Sequence, residues 1–454
     1  MEGQLQIRTK IIYGFGDTGF SLTSTIIAAY FAIFLTDVVG VAAGTAAVAI
    51  FLGRTWDYVN DPIMGHISDR TRTRWGRRRP FLLFGALPFA LAFVLMWYRP
   101  PIESQVLLTV YYALAYVLFD SAATFVYMPF FALTPELTSN YDERTTLTTY
   151  RMFFSILGSL IAFTIPLLIV GSFQPANAPR VLLMGVLFGA ASAVPLLVVF
   201  FGTRERQEYS ALAEPSLAES LKAAARNRPF VFGMVIFLLT WVSIDILQTS
   251  LLYFIKYVVR READSDLIMA VIFVAAMFVL PFWEWASRHL NKRLAYAAGI
   301  AFWAAVQIVL ITLNEGTALP MIVALCVLAG IGVSAAHVLP WSIIPDAIEW
   351  DEWQTGERHE GMFYSLVTLS QKIASSIAIP LILLMLQVSG YVPTAAVQPA
   401  SAVLGIRLAI GPVPALLLCG GIVFAILYPL GRESHQRIVQ ELELRRHGLS
   451  REAK

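Results

Sequence analysis

Charge is scarce in this 454-residue chain: 14% of its residues are Asp, Glu, Lys or Arg, against roughly 25% in soluble domains. That scarcity argues against a soluble globular fold. Cysteine is rarer still, and Cys326 and Cys419 both fall inside apolar runs, so neither a disulfide framework nor a cysteine metal site is implied. The histidines (His66, His289, His337, His359, His435, His447) are scattered, without the HExxH spacing of a zinc helix. No Walker-type glycine loop is present, so ATP is not the expected energy source. No serine stands in a GxSxG elbow. The chain therefore reads as a non-enzyme with no cofactor and no nucleic-acid partner. Its amino terminus has no cleavable pattern, because a ten-residue polar start runs directly into a full-length apolar span.

Apolar residues dominate, at 57% of the chain. They gather in runs of about 20 residues, each long enough to cross a roughly 30 Å hydrocarbon slab. The runs predict about twelve spans: 12–36, 43–67, 81–98, 105–133, 147–171, 181–201, 229–257, 266–285, 294–313, 319–345, 362–387 and 403–430. Polar, charged residues 202–228, with a helix-forming stretch from Ala218 to Arg226, divide a first bundle (1–201) from a second (229–430), and 431–454 form a polar tail. Two six-span halves follow the repeat logic of secondary transporters, whose sites lie at mid-membrane. With both termini inside, only Arg99, Arg180, Arg260 and Arg261 of the 33 Lys and Arg lie in outer loops. This asymmetry favours cytoplasmic termini. The expectation is an all-α, multi-pass protein of the plasma membrane, here a bacterial inner membrane, with lipid as its surroundings.

Ionisable side chains inside a bilayer are costly and persist mainly where they handle ions or substrates. Asp57 and Asp61 stand one turn apart in the second span and share a face, with Asn60 adding a neutral oxygen. Carboxylate, amide and hydroxyl oxygens suit a small hard cation. The pattern predicts a Na+ site at Asp57 and Asp61, with Li+ or H+ as alternative coupling ions. Two rival readings remain open. Arg54 pairs structurally with one of the acids, or burial raises a carboxylate until it carries a proton.

Asp17 follows Tyr13-Gly14-Phe15-Gly16, where flexible backbone is expected to make room for a ligand. Its alternative is a solvated position near the interface. Lys372 lies mid-span, too deep to reach water easily, and with Arg151 it offers a donor for hydroxyl or carboxylate groups. Tyr127, Phe130, Phe131 and Trp341 offer aromatic faces, although packing alone also accounts for them.

Several motifs are more specific. The loop Gly65-x3-Asp69-Arg70 … Gly76-Arg77-Arg78 resembles the signature joining helices two and three of major facilitator superfamily transporters, echoed by Trp283-Glu284 … Arg288 … Lys292-Arg293. Trp56-Asp57-x-x-Asn60-Asp61-Pro62-Ile63-Met64-Gly65 resembles the glycoside–pentoside–hexuronide:cation symporter family, of melibiose-permease type. Pro135-Glu136-Leu137-Thr138, Pro345-Asp346-Ala347-Ile348-Glu349-Trp350 and Thr355-Gly356-Glu357-Arg358-His359-Glu360-Gly361 extend the likeness. The resemblance implies the major facilitator fold of twelve helices. It also implies a cation site of Asp57, Asn60, Asp61 and Thr124. The sugar-binding acids of that family are replaced here by Ser21 and Tyr127, and two tryptophans by Phe131 and His337. Arg151 and Lys372 match retained basic residues, and Asp17, Trp341 and Thr368 complete the expected substrate set. Glu143, Arg144, Asp346, Glu349 and Arg358 are implied as a cytoplasmic gate, with ordinary solvated loop charges as the alternative.

These residues predict cation-coupled symport of a sugar or glycoside by alternating access. The missing acids leave an anionic uronide, or a lysolipid or other amphipathic molecule, as alternatives. A monomer is expected by analogy with transporters of this plan.

Overall fold

The computed structural model describes residues 5–138, 141–205, 222, 224–289, 291–356 and 360–446. All regular structure in it is helical. In chain order the long helices are α1 (Ile7–Ile26, continued by π-helical turns Ile27–Phe31 and Phe34–Val39), α2 (Ala43–Arg70), α3 (Arg79–Trp97), α4 (Gln105–Phe131), α5 (Tyr141–Val170) and α6 (Ala178–Gly202). There follow α7 (Arg228–Phe254, with π-helical Ile255–Val259), α8 (Ser265–His289), α9 (Lys292–Leu310), α10 (Leu319–Thr355) and α11 (Glu360–Val388). The last are α12 (Ala400–Ile410), α13 (Pro412–Ile426) and α14 (Arg432–Arg446). Among the described residues, ten helices are long and apolar enough to cross a membrane. The central segment 206–221, including the first four residues of the helix-forming stretch expected from Ala218 to Arg226, lies outside the described residues.

Two compact units emerge. The first comprises 1–210 with 251–270 and 379–406, and the second comprises 211–250, 271–378 and 407–454. In lipid, water does not drive helices together, so association depends on close packing and on small residues that admit it. In the first unit a side chain at Gly16 would place its Cβ 2.4 Å from the Phe130 ring. The expectation that the glycines before Asp17 loosen the backbone is therefore overturned: α1 stays helical there, and Gly16 seats α4 against it. The second unit has a core of Phe230, Phe237, Ile344, Ile348, Phe363 and Val367, all buried.

Two departures from the hydropathy pattern matter. α10 runs to Thr355, ten residues past its expected end, so Asp346 and Glu349 are helical rather than loop residues. The final span is broken at Gly411, and Pro412 opens a new helix where its missing N–H costs nothing.

Candidate functional site

The expected cation ligands come together in the first unit, where α2 lies along α4. Gly53 makes the approach possible, since a Cβ there would sit 2.4 Å from the Tyr116 ring. Successive bonds then fix the register. Arg54 Nε donates to Tyr116 OH at 3.1 Å. Trp56 Nε1 donates to Ser121 Oγ at 2.8 Å, and Asn60 Nδ2 donates to the Asp120 carbonyl at 3.3 Å. Thr124, buried on α4, is aimed at both acids: its Oγ1 lies 3.5 Å from Asp57 Oδ1 and 3.3 Å from Asp61 Oδ1. Two carboxylates thus converge on one hydroxyl. A cluster of hard oxygens fits Na+, and Asp57, Asp61 and Thr124 would hold it, with the Asn60 amide oxygen on the branch turned from its bonded nitrogen.

The expected substrate residues of the first unit also cluster. Asp17, 4% exposed, accepts from Arg151 Nε at 3.3 Å, so it is not a solvated interface acid. The Arg151 guanidinium lies 4.5 Å from the centre of the Phe131 ring and 5.6 Å from that of Phe130. Cation–π attraction and the ion pair together hold it in one place. Ser21 Oγ shares a 2.6 Å hydrogen bond with Ser155 Oγ. The Tyr127 hydroxyl is buried, with no hydrogen-bond partner among the described residues.

In the second unit, His337 stands edge-on to Trp241 at 5.3 Å, and Trp341 packs against Phe237 at 4.7 Å and Tyr364 at 6.4 Å. Tyr364, Thr368 and Lys372 follow at four-residue intervals on one face of α11. Thr368 Oγ1 donates back to the Tyr364 carbonyl at 3.0 Å, and Lys372 is half-buried mid-helix.

Of the expected gate residues, Glu143 and Asp346 are buried and Glu349 is half-buried, and the following pairs each lie within one unit. Glu143 binds Lys10 at 3.0 Å. Asp346 binds Lys292 Nζ at 2.6 Å, and His435 Nε2 of the tail helix α14 approaches Glu349 at 2.5 Å and Asp346 at 3.5 Å. The bonded Glu349 carboxylate, more than burial opposes, raises the His435 pKa above its ordinary value. Arg358 and the Arg144 side chain lie outside the described residues.

Sequence reasoning missed two clamps. Glu205 accepts the backbone N–H groups of Arg77, Arg78 and Arg79 at 2.5, 2.8 and 2.7 Å. It thereby caps α3 with an anion where the helix dipole is positive. Glu136 receives Arg77 at 2.8 Å and Arg78 at 3.1 Å. The basic loop is thus stapled to the ends of α4 and α6. The arginines announced themselves by density and Glu136 by its motif, but nothing in the sequence marked either glutamate as their partner.

A family model described as MFS/sugar transport protein matches residues 12–432. The chain belongs to that family. It is 32% identical to an uncharacterized symporter of Synechocystis sp., over 97% of each chain. It is 30% identical to the sodium-dependent lysophosphatidylcholine symporter 1-A of Danio rerio, over 97% of this chain and 89% of that one. It is 28% identical to a sphingosine-1-phosphate transporter of Mus musculus, over 98% of this chain and 94% of the other. In fold it resembles a bacterial homolog of the human lysosomal transporter Spinster, with TM-score 0.66 at 12% identity over 96% of this chain and 97% of that one. The protein is accordingly a multi-pass membrane transporter of the major facilitator type, with a small-molecule substrate.

Proposed function

We propose that this transporter is a Na+-coupled symporter whose substrate is an amphipathic molecule with a charged head group. The observation that carries the coupling is the convergence of Asp57 and Asp61 on the Thr124 hydroxyl. A cation bound there offsets two negative charges, which lowers the cost of enclosing the loaded site during alternating access. Two relatives described as a sodium-dependent lysophosphatidylcholine symporter and a sphingosine-1-phosphate transporter favour a phosphate-bearing lipid. On this reading Arg151, held by Asp17 over Phe131, receives the anionic group, as a planar guanidinium suits phosphate. One Na+ moving down about 100 mV supplies about 2.3 kcal/mol, and a tenfold gradient adds about 1.4 kcal/mol.

A sugar or glycoside of the melibiose-permease type is the second reading. It is favoured by the family's own description and by the aromatic faces of Phe131 and Trp341. Uptake into proteoliposomes under an inward Na+ gradient tests both, with lysophosphatidylcholine, sphingosine-1-phosphate, melibiose and a glucuronide as solutes. Na+-stimulated lipid uptake, abolished in Asp57→Asn and Asp61→Asn, is expected. Stimulation that survives both substitutions would overturn the cation site, and uptake of the sugars alone would overturn the lipid reading.

A further inference from the structure

The sequence repeats a short phrase: Phe34-Leu35-Thr36-Asp37-Val38-Val39-Gly40 at the end of α1, and Phe254-Ile255-Lys256-Tyr257-Val258-Val259-Arg260 at the end of α7. Both copies wind as π-helix, and both stop on a left-handed residue, Gly40 at φ 89° and Arg260 at φ 56°. Such turns are rare and concentrate at functional places. The unlike residues of the two copies meet. Asp37 is completely buried. It receives Lys256 Nζ at 2.6 Å and the Tyr257 hydroxyl at 2.5 Å on one oxygen, and the Tyr391 and Thr36 hydroxyls on the other. Lys256 also donates to the Phe173 carbonyl at 2.5 Å and stands 3.8 Å from Glu262. Three stretches of chain meet on one carboxylate and a fourth, at Phe173, joins through Lys256, all within the first unit.

A buried ion pair adds little to stability compared with an apolar replacement, because desolvating both charges offsets their attraction. It does demand one geometry. Once opened to water each charge regains its hydration, so a fully satisfied pair can serve as an all-or-none fastener where an apolar plug would not release. Asp37 also stands about 40 Å along α1 from Lys10, at 1.5 Å per residue, so it lies far from the Lys10–Glu143 pair. Neither Asp37 nor Lys256 has a part in the cation or substrate clusters.

We propose that Asp37 and Lys256, with Tyr257 and Tyr391, are the latch that closes the transporter at the end of α1 away from the amino terminus, releasing once per transport cycle. This rests on the transport reading, but its test does not require uptake. With Cys326 and Cys419 replaced by alanine, Thr36→Cys places a thiol inside the latch, and Ser192→Cys, on fully buried Ser192, serves as a reporter of general unfolding. Labelling by a membrane-impermeant maleimide is then followed. Asp37→Asn or Lys256→Gln is expected to speed labelling at position 36 at least tenfold while position 192 stays protected. The milder Tyr391→Phe, which removes a single hydroxyl, should fall between, and Asp37→Glu should stay near the parent. Unchanged labelling at 36 in Asp37→Asn, Lys256→Gln and Tyr391→Phe would overturn the latch, as would parallel acceleration at 36 and 192. Failure of Na+-driven uptake would sink the transport reading instead, and leave these rates interpretable.

Discussion

Replacing Thr124 with valine isolates the cation site, because the two side chains share a shape and differ by one oxygen. Thr124 is 6% exposed and sits on the α2–α4 seam, so a larger change would disturb the packing that sets the register. The hydroxyl lies 3.3 and 3.5 Å from the two carboxylates. Bonds to charged groups contribute about 1.5–3 kcal/mol, and distances this long argue for the low end. A loss near 1.4 kcal/mol is a tenfold weaker Na+ affinity. The assay is thermal stabilisation of purified protein against NaCl, with choline chloride holding ionic strength constant. Na+ at a hundred times its Kd stabilises by about 2.7 kcal/mol, and after a tenfold loss the same concentration gives about 1.4 kcal/mol. Thr124→Val should therefore keep roughly half the Na+-dependent gain. An undiminished response would remove Thr124 from the ligand set. No Na+ response in the parent protein would mean that Arg54 or a proton already balances the acids.

Two further outcomes follow, one from the Glu205 clamp and one from the tail helix. Glu205→Gln keeps the acceptor shape but removes the charge from the α3 amino terminus, which should cost about 1–2 kcal/mol and lower the melting temperature by a few degrees in detergent. At the tail helix, His435 faces Asp346 and Glu349 of α10, with Lys292 of α9 beside them. Its folded pKa is raised above an unfolded value of about 6.5, so protonation favours docking of α14. That contribution is complete below about pH 6.5 and fades as pH rises through the folded value. A spin label at Gln436→Cys should become more mobile across that window, and His435→Gln should flatten the response.

Most spans were legible because an apolar run of membrane length has few other uses. α10 was cut short at residue 345 because Pro340, Pro345 and the acids Asp346, Glu349, Asp351 and Glu352 resemble a loop. In the fold Lys292 and His435 neutralise two of those acids, and the helix continues. The Gly411–Pro412 break was hidden in an unbroken apolar run. Asp57 and Asp61 were visible because their partnership is local, one turn apart on a single helix. Thr124 became visible through resemblance, since nothing in its own neighbourhood marks it. Asp37 was overlooked for the opposite reason: it closes an apolar run, and Lys256 lies 219 residues away. A pair separated that far leaves no periodic trace, and only the echo of one phrase at the ends of α1 and α7 hinted at it.

The length of α10 has a practical side. Its 37 residues reach about 55 Å, nearly twice the hydrocarbon thickness, so one end projects beyond the lipid. There Trp353 Nε1 bonds Glu441 of α14 at 2.7 Å, and Arg445 caps the Trp353 carbonyl at 2.9 Å. The same continuous rod carries His337 and Trp341 three to four turns away. An antibody fragment or fused helical domain gripping the Trp353–α14 corner would hold a handle on the helix that carries the two residues proposed to face substrate, adding mass for electron microscopy and a lever for freezing one conformation.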